Sequence, residues 1–263
     1  MILARKRFGQ NFLHDPGVLS RIVGALSPAS GDHILEIGPG RGALTDLLLA
    51  APHASFDAVE IDRDLAQLLR PRFALARDAT LYEADALEFD VAGLAGARGG
   101  RLRVIGNLPY NISTPLLFHL IDSAPSIIDL HIMLQREVIA RMAAAPGSDD
   151  YGRLTVMLHP WVEVEWLFDI GPGAFIPAPK VWSAVARLTV RDRPAFPVSS
   201  RFAQVVSTAF NHRRKTLRNC LRGLLDATQI EACGVDPGVR PETLEPRAFN
   251  DIACALEQAS ARG

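Results

Sequence analysis

Residues 33–42 read HILEIGPGRG, an apolar run that ends in a glycine-rich turn. The run predicts a buried strand over His33–Ile37, and the apolar residues after the turn predict a helix from Ala43 to about Leu49. The glycines permit a tight turn and let a ligand approach the backbone where the helix begins. A strand, a glycine turn and a helix in this order are typical of the ligand-binding edge of an α/β sheet.

Four more apolar segments continue this rhythm and are predicted to be strands, at residues 56–61, 80–83, 102–106 and 127–134. Helices are predicted at residues 65–73 and 135–145. Successive strand ends lie about 22 to 24 residues apart, which is the length of a helical crossover plus a strand. We therefore expect an α/β fold, Rossmann-like, with a parallel sheet and right-handed crossovers.

The pattern changes after residue 145. Residues 154–168 and 181–190 are rich in β-forming residues, and the prolines of the segment between them exclude a helix there. We expect two further strands, as an antiparallel pair at the sheet edge. Beyond Pro194 and Pro197 the pattern predicts helices at residues 201–209, 215–225 and 246–259. The expected organisation is a sheet domain of residues 1–195 and a small α-helical domain of residues 196–263.

The composition is that of an ordinary globular protein of 263 residues. The longest stretch without a charged residue, 104–121, contains two prolines and two asparagines, so we expect no membrane span. No apolar run follows the first basic residues, so no signal peptide is visible and a cytoplasmic location is expected. Three cysteines without paired spacing and scattered histidines indicate neither a disulfide framework nor a metal site. Nothing suggests an obligate dimer, so a monomer is expected.

Basic residues are unevenly distributed in a chain whose net charge is -1. Residues 193–225 contain seven basic residues and no acidic one, and the first fourteen residues contain three more, again with no acid. Local basic patches on a nearly neutral protein are typical of directed contacts with phosphate groups.

Acidic residues follow the second and third strands. Glu60 lies 22 residues after Gly38, where it can accept hydrogen bonds from ribose hydroxyls, and Asp85 follows the third strand. The carboxyl ends of parallel strands meet at one edge, so three strand ends contribute to one site. The turn has Gly-x-Gly-x-Gly spacing rather than the Gly-x-Gly-x-x-Gly of dinucleotide sites. Nicotinamide or flavin binding is the alternative at this point.

The fourth strand is followed by Asn107, Leu108, Pro109 and Tyr110, which resemble the motif of S-adenosylmethionine-dependent methyltransferases that act on exocyclic amino groups. The lone pair of an adenine N6 is delocalised into the ring until acceptors hold its hydrogens. The Asn107 side-chain oxygen and a main-chain carbonyl near Leu108 can be those acceptors. Tyr110 offers a flat face for an extruded base.

Together these blocks resemble the ribosomal RNA adenine dimethyltransferase family over nearly the whole chain, and in particular its bacterial type that modifies 16S ribosomal RNA. The other blocks that carry the resemblance are ARKRFGQNFL (4–13), VEIDRDL (59–65), DALEF (85–89), MLQREV (133–138), YGRLTV (151–156), residues 175–188 and FNHRRKTLRNCL (210–221). The resemblance implies a class I methyltransferase sheet with a small C-terminal helical domain. It implies two methyl groups on each of two adjacent adenosines, in a hairpin loop near the 3′ end of 16S RNA in the small (30S) ribosomal subunit.

The resemblance also implies roles for individual residues. Asn107, Leu108 and Tyr110 would hold the target adenine, and Phe175 would close on it from the other side. Gly38 would lie beside the methionine of the cofactor, Glu60 would bind its ribose and Asp85 its adenine amino group. The full set implied to contact S-adenosylmethionine is Asn11, Leu13, Gly38, Glu60, Asp85 and Asn107.

The basic stretch then suggests an RNA contact. We expect Arg213, Arg214, Lys215 and Arg218 to contact RNA phosphates, with Arg214 and Arg218 four apart on one helical face. The alternative is a solvated face, or one that binds the methyltransferase domain.

One residue departs from the family pattern. Trp182 stands where members commonly have Asp, so any salt bridge of that Asp is absent or relocated. We favour a packing change at a strand start over a new RNA contact.

Two other functions stay open. One is a related N6-adenine methyltransferase of 23S RNA or DNA, and the other is a mainly non-enzymatic factor for small-subunit assembly.

Overall fold

The protein is described here by a computed structural model of residues 11–212 and 215–260. Its central feature is a seven-stranded sheet, and a separate two-stranded ladder joins β1 to β8. The described residues form nine strands, which are β1 (Phe12–Leu13), β2 (His33–Ile37), β3 (Ser55–Glu60), β4 (Ala79–Glu83), β5 (Leu102–Asn107), β6 (Ile127–Gln135), β7 (Val162–Ile170), β8 (Phe175–Ile176) and β9 (Ser183–Val190).

The strand order in the sheet is β4-β3-β2-β5-β6-β9-β7. The pairs from β4 to β6 are all parallel, and β9 runs antiparallel to β6. The order reverses between β2 and β5, and the carboxyl ends of β2, β3, β4 and β5 meet at one edge. Ligands of open α/β sheets bind at such a switch point. The predicted parallel α/β sheet is therefore confirmed, with β9 and β7 as neighbours at its edge.

Helices surround the strands and make up most of the C-terminal part. α3 illustrates how local sequence starts them, because Asp62 accepts a hydrogen bond from the Asp64 amide. The helices are α1 (Pro16–Leu26), α2 (Ala43–Ala50), α3 (Arg63–Leu75), α4 (Val91–Arg98), α5 (Ser113–Asp122), α6 (Arg136–Ala143), α7 (Arg153–Leu158), α8 (Phe202–Phe210), α9 (Leu217–Cys220), α10 (Ala227–Ala232) and α11 (Pro246–Ser260).

The chain divides into two compact units. The first comprises the chain up to Ile139 together with Glu163–Val190, and its core includes Leu48, Phe56 and Ile105. The second comprises Ala140–Val162 together with the chain from Arg191 onwards. Residues 140–162 were expected in the sheet domain, but Tyr151 and Val156 are buried in the core of the helical unit. That unit therefore takes its core from two separate segments of the chain.

Two predicted elements differ from the structure. Residues 154–168 are not one strand, because α7 occupies Arg153–Leu158 before β7 begins. The side chain of Thr155 accepts a hydrogen bond from the Gly152 amide, which caps that helix. The helix predicted at residues 215–225 is limited to α9, because the Leu217 amide donates to a carbonyl of another loop and Gly223 adopts a φ of 94°.

Candidate functional site

The glycine turn lies between β2 and α2, as the sequence predicts. Gly38 and Gly40 have φ values of 68° and 59°, a left-handed conformation that glycine adopts without strain. The Gly38 amide donates to the Val59 carbonyl at 2.9 Å, which ties the turn to the end of β3. The ring of Phe12 covers Gly40, and the Arg41 guanidinium lies 4.4 Å from the centre of that ring. The turn is held between two strands and the N-terminal segment.

Glu60 connects the glycine turn to the end of β3. Its two carboxylate oxygens accept hydrogen bonds from the amides of Gly40, at 3.0 Å, and Asp62, at 2.8 Å. Burial raises the pKa of Glu60 above its ordinary value, while these two hydrogen bonds oppose that shift. Each carboxylate oxygen has two lone-pair sites, so Glu60 can still accept hydrogen bonds from a ligand's hydroxyl groups.

A cleft of about 260 Å³ opens at the carboxyl edge of the sheet in the first unit. Asp85 lies on its wall, half-buried, and accepts a hydrogen bond from the Leu87 amide at 2.9 Å. The side chain of Ile61 is 48% exposed in the same cleft and supplies apolar surface. A concave site with a few carboxylates and apolar walls suits a ligand that carries a sugar and a flat ring.

The Asn107–Tyr110 turn follows β5 on the other wall of this cleft. The Asn107 side-chain amide donates to the Asn11 carbonyl at 2.9 Å, and the Leu108 amide donates to the Met133 carbonyl at 3.1 Å. The Tyr110 hydroxyl lies 2.6 Å from the Ser183 hydroxyl, and burial raises the pKa of Tyr110. The turn is therefore held by Asn11, which directly precedes β1, and by β6 and β9, and the tyrosine hydroxyl is neutral at physiological pH.

A smaller cavity of about 50 Å³ adjoins the cleft beneath the glycine turn. Glu36 lines it with only 2% of its surface exposed, and the Thr45 hydroxyl donates to it at 2.7 Å. Burial raises the pKa of Glu36 to about 8, and the nearby Glu60 and Asp46 carboxylates add to that shift. His131, on the same cavity wall, has its pKa lowered by burial.

The structure brings together most of the residues predicted for the site. The cleft or the smaller cavity is lined by Asn11, Leu13, Gly38, Glu60, Asp85, Asn107, Leu108 and Tyr110. Phe175 lines neither of them. It is 2% exposed in the hydrophobic core, and its strand β8 pairs with β1, where Leu13 is its partner. In this conformation Phe175 supports the N-terminal segment and does not face the cleft.

The predicted RNA-binding residues belong to the second unit. Lys215 precedes α9 and Arg218 lies in it, and both are exposed. Arg213 and Arg214 lie outside the described residues. α9 begins at Leu217 and contains Arg218. A broad surface depression of the second unit includes Arg218 and Arg222.

Some residues of the site were missed by sequence reasoning. Ser183 contacts Tyr110 across 73 positions, and no local pattern signals that pairing. Glu36 stands in the quoted block of residues 33–42 and Thr45 follows three residues after it, yet their mutual hydrogen bond depends on the burial of both side chains. Ile61 could have been found from the sequence, because it directly follows Glu60, which was predicted to bind a ligand.

The fold and the site define a class I methyltransferase. The solved structure of a dimethyladenosine transferase from Plasmodium falciparum has a TM-score of 0.81 and is 23% identical, covering 95% of this chain and 98% of the other. The structure of the 23S rRNA methyltransferase ErmE has a TM-score of 0.71 and is 26% identical, covering 94% and 100%. The predicted fold class is confirmed.

A sequence model of the ribosomal RNA adenine dimethylase family matches residues 1–258. The ribosomal RNA small subunit methyltransferase A of Pseudomonas aeruginosa is 52% identical over 257 residues, which cover 97% of this chain and 95% of the relative. The chain belongs to the ribosomal RNA adenine dimethylase family and is an S-adenosylmethionine-dependent methyltransferase, as its motifs predicted. Every helix in residues 11–212 and 215–260 is too short or too polar to cross a lipid bilayer.

Proposed function

We propose that this protein places two methyl groups on each of two adjacent adenosines in a hairpin loop near the 3′ end of 16S ribosomal RNA. The observation that carries the proposal is the position of the Asn107–Tyr110 turn, which shares one cleft with Glu60 and Asp85. When the site for the target adenine and the site for the cofactor lie at the same edge of the sheet, the methyl group can pass directly from one to the other. The name of the Pseudomonas aeruginosa relative supports the small subunit as the source of the RNA.

The cleft offers exposed backbone and two carboxylates that suit the parts of S-adenosylmethionine. S-adenosylmethionine supplies a methyl group on a positively charged sulfonium when it is bound. The left-handed turn at Gly38 leaves backbone open to the methionine portion, beside Asn11 and Leu13 of the smaller cavity. Glu60 accepts hydrogen bonds from the ribose hydroxyls, and Asp85 accepts one from the adenine amino group.

The Asn107–Tyr110 turn receives the target adenine. The Asn107 side-chain oxygen and the Leu108 carbonyl accept the two N6 hydrogens, which draws the nitrogen toward tetrahedral geometry and frees its lone pair. Tyr110 stacks on the extruded base. These residues position the nitrogen for in-line attack on the methyl group that bound S-adenosylmethionine would supply, and the proton released from the methylated nitrogen passes to solvent. Phe175, expected to close on the base, is buried away from the cleft in this conformation.

RNA binding outside the cleft is assigned to basic residues of the second unit. Lys215 and Arg218 are exposed, in a stretch of the chain without acidic residues, and Arg guanidinium groups bind phosphate through two hydrogen bonds. Arg213 and Arg214 belong to the same stretch. The protein acts as a monomer on the small (30S) subunit in the cytoplasm.

The proposal is tested by transferring labelled methyl groups from S-adenosylmethionine to small subunits that lack this modification. The expected product is N6,N6-dimethyladenosine at both adenosines, identified by nucleoside analysis of the 16S RNA. Absence of label in 16S RNA, when cofactor binding has been demonstrated, would overturn the substrate assignment.

The structural likeness to ErmE favours one competing function, methylation of 23S RNA. Large subunits and DNA are therefore included as acceptors in the same assay. Label in 23S RNA alone would establish the competing function. An assembly factor that needs no catalysis is distinguished by the Asn107→Ala variant, which would keep its effect on subunit maturation although methylation is lost.

A further inference from the structure

Trp182 has an exposed aromatic side chain at the carboxyl edge of the sheet, with 55% of its surface accessible. Ile176 and Val181 on the same segment are also exposed, at 52% and 42%. Exposed apolar residues that lie next to one another can mark an interaction site. With 55% of its surface accessible, the indole is only partly covered by protein.

The backbone of Trp182 is firmly placed. Its carbonyl accepts a hydrogen bond from the Arg136 amide at 2.9 Å, at the end of β6. Its six-membered ring lies against Gly171, 3.7 to 4.0 Å from the position that a Cβ atom would occupy there. One part of the indole therefore rests on protein while the remainder faces solvent. A flat ring that is held in place before binding loses little conformational entropy when a second ring stacks on it.

Trp182 is also close to the candidate base site. The side-chain hydroxyl of the next residue, Ser183, lies 2.6 Å from the Tyr110 hydroxyl. β9 is separated from β5 only by β6, so its first residue lies about 10 Å from the end of β5 at ordinary strand spacing. Trp182 directly precedes β9, so its backbone lies at the carboxyl edge of the sheet, next to the residue that contacts Tyr110. Trp182 does not line the cleft itself.

The surroundings of Trp182 suit a nucleic acid. The exposed Arg136 guanidinium lies 5.6 Å from the centre of the Trp166 ring and pairs with Asp169 at 3.1 Å. The exposed Lys180 lies two residues before Trp182 in sequence. Aromatic rings interleaved with basic side chains are typical of surfaces that bind single-stranded RNA, where bases stack and phosphates contact cations.

We propose that the exposed indole of Trp182 stacks on an unpaired base next to the target adenosines and so contributes to the choice of RNA substrate. This inference rests on the proposed function, because it requires an RNA loop in the cleft. It assigns Trp182 to substrate binding and not to the methyl-transfer step.

The first test measures kcat and KM for methylation of unmodified small subunits by Trp182→Ala, Trp182→Phe and Trp182→Asp. Loss of one stacked base raises the KM of the Ala variant about 5- to 150-fold with little change in kcat. The Phe variant retains most of the affinity because it keeps an aromatic face. The Asp variant binds RNA at least as poorly as the Ala variant, because its carboxylate repels phosphates. Leu75→Ala, which removes an 89% exposed apolar side chain from α3, serves as the control.

The second test uses binding alone. A hairpin of the 16S loop carries the fluorescent base 2-aminopurine at a position flanking the two adenosines. Stacking on Trp182 quenches this base when the wild-type protein or the Phe variant binds, and the quenching is lost with the Ala variant. Quenching that is equal for all variants would overturn the inference.

Two further outcomes also contradict the inference. If Trp182→Ala lowers the melting temperature and leaves KM and quenching unchanged, the indole is a packing residue only. If the KM for subunits rises while binding of the isolated hairpin is unchanged, the indole contacts a protein of the subunit. Failure of the proposed function is distinguishable from both, because the wild-type protein would then transfer no methyl group to 16S RNA.

Discussion

The side-chain amide of Asn107 donates a hydrogen bond to the main-chain carbonyl of Asn11, a residue 96 positions earlier in the chain. This bond uses the nitrogen end of the amide, so the side-chain oxygen is oriented as the acceptor. The N-terminal segment thereby fixes the group that we assign to holding an N6 hydrogen. A segment expected to contact only the cofactor also orients the target site.

Replacing Asn107 by Ala removes this acceptor. We expect kcat for methylation to fall about 100-fold or more, because an unheld amino group seldom reaches the attacking geometry. Single-turnover methyl transfer to small subunits measures the change. Asn111→Ala is the matched control, since it removes an exposed amide from the same turn. Equal losses in the two variants would show that the turn as a whole, and not the Asn107 oxygen, is required.

Tyr110→Phe separates the tyrosine ring from its hydroxyl. The variant loses the hydrogen bond to Ser183, and we expect its stability to fall by about 1 kcal/mol. Because the aromatic face is kept, kcat should change less than about tenfold, whereas Tyr110→Ala loses base stacking as well. Urea unfolding and steady-state kinetics measure both effects. If Tyr110→Phe were as inactive as Tyr110→Ala, the hydroxyl rather than the ring would carry the function.

The Glu60→Gln variant weakens the hydrogen bonds that the Glu60 carboxylate accepts. The oxygens of Glu60 accept hydrogen bonds from the amides of Gly40 and Asp62, and a Gln side chain offers only one acceptor oxygen. We expect a stability loss of about 1–3 kcal/mol and at least tenfold weaker binding of S-adenosylhomocysteine, measured by calorimetry. Glu83→Gln, on the neighbouring strand in an exposed ion pair with Arg70, should leave binding unchanged. Unchanged binding in Glu60→Gln would remove Glu60 from the cofactor site.

Glu36 makes the stability of the protein depend on pH. Its pKa is raised to about 8 in the folded protein, so between about pH 4.5 and 8 the folded state holds a proton that the unfolded chain releases. Stability is therefore expected to decline with rising pH across this window, by up to ~1.4 kcal/mol per pH unit from this group.

The Glu36→Gln variant removes that decline. Its amide oxygen can still accept the hydrogen bond from the Thr45 hydroxyl, so the neutral form is imitated. Urea unfolding from pH 5 to pH 9 should give a flatter profile than that of the wild-type protein. Parallel profiles for the two proteins would mean that Glu36 is ionised throughout this range.

Charge reversal at Lys215 and Arg218 tests the RNA-binding role of the second unit. The double variant, with Glu at both positions, should bind a 16S hairpin more weakly. The slope of the logarithm of its affinity against the logarithm of the salt concentration should decrease by about one for each phosphate that the protein no longer neutralises. Fluorescence anisotropy at several salt concentrations measures this, and binding of S-adenosylhomocysteine should be unaffected. Arg70→Glu in the first unit, compared with the single reversals Lys215→Glu and Arg218→Glu, is the control for net charge. An unchanged salt dependence would identify the basic stretch as a solvated face.

Several elements could be predicted because their signals are local. The segments that form β2, β3, β4, β5 and β6 are short and mostly apolar, and each ends at a polar residue or a glycine turn. The shortened helix α9 could not be predicted, because it is limited by a hydrogen bond from the Leu217 amide to the Val239 carbonyl. The helix α7 was missed because its apolar residues also suit a strand, and only their burial in the helical unit selects the helix.

The residues of the candidate site also fall into two groups, those with a local signal in the sequence and those without one. Asn107, Glu60 and Asp85 were predicted because each follows a strand, and parallel strands end at one edge of the sheet. The positions of Phe175 and Trp182 were not predicted. The first is buried beneath the N-terminal segment and the second is exposed, and both depend on which strands pair around them.

The sequence by itself determined the class of fold and the family, and it predicted the residues that we propose to bind a cofactor and a base, because strand periodicity and short motifs are properties of neighbouring residues. Only the tertiary structure decided how those residues are held. The Asn107–Asn11 and Tyr110–Ser183 hydrogen bonds, the shared burial of Glu36 and Thr45, and the open indole of Trp182 join distant parts of the chain. Contacts of that kind depend on packing, which leaves no periodic signal in the sequence.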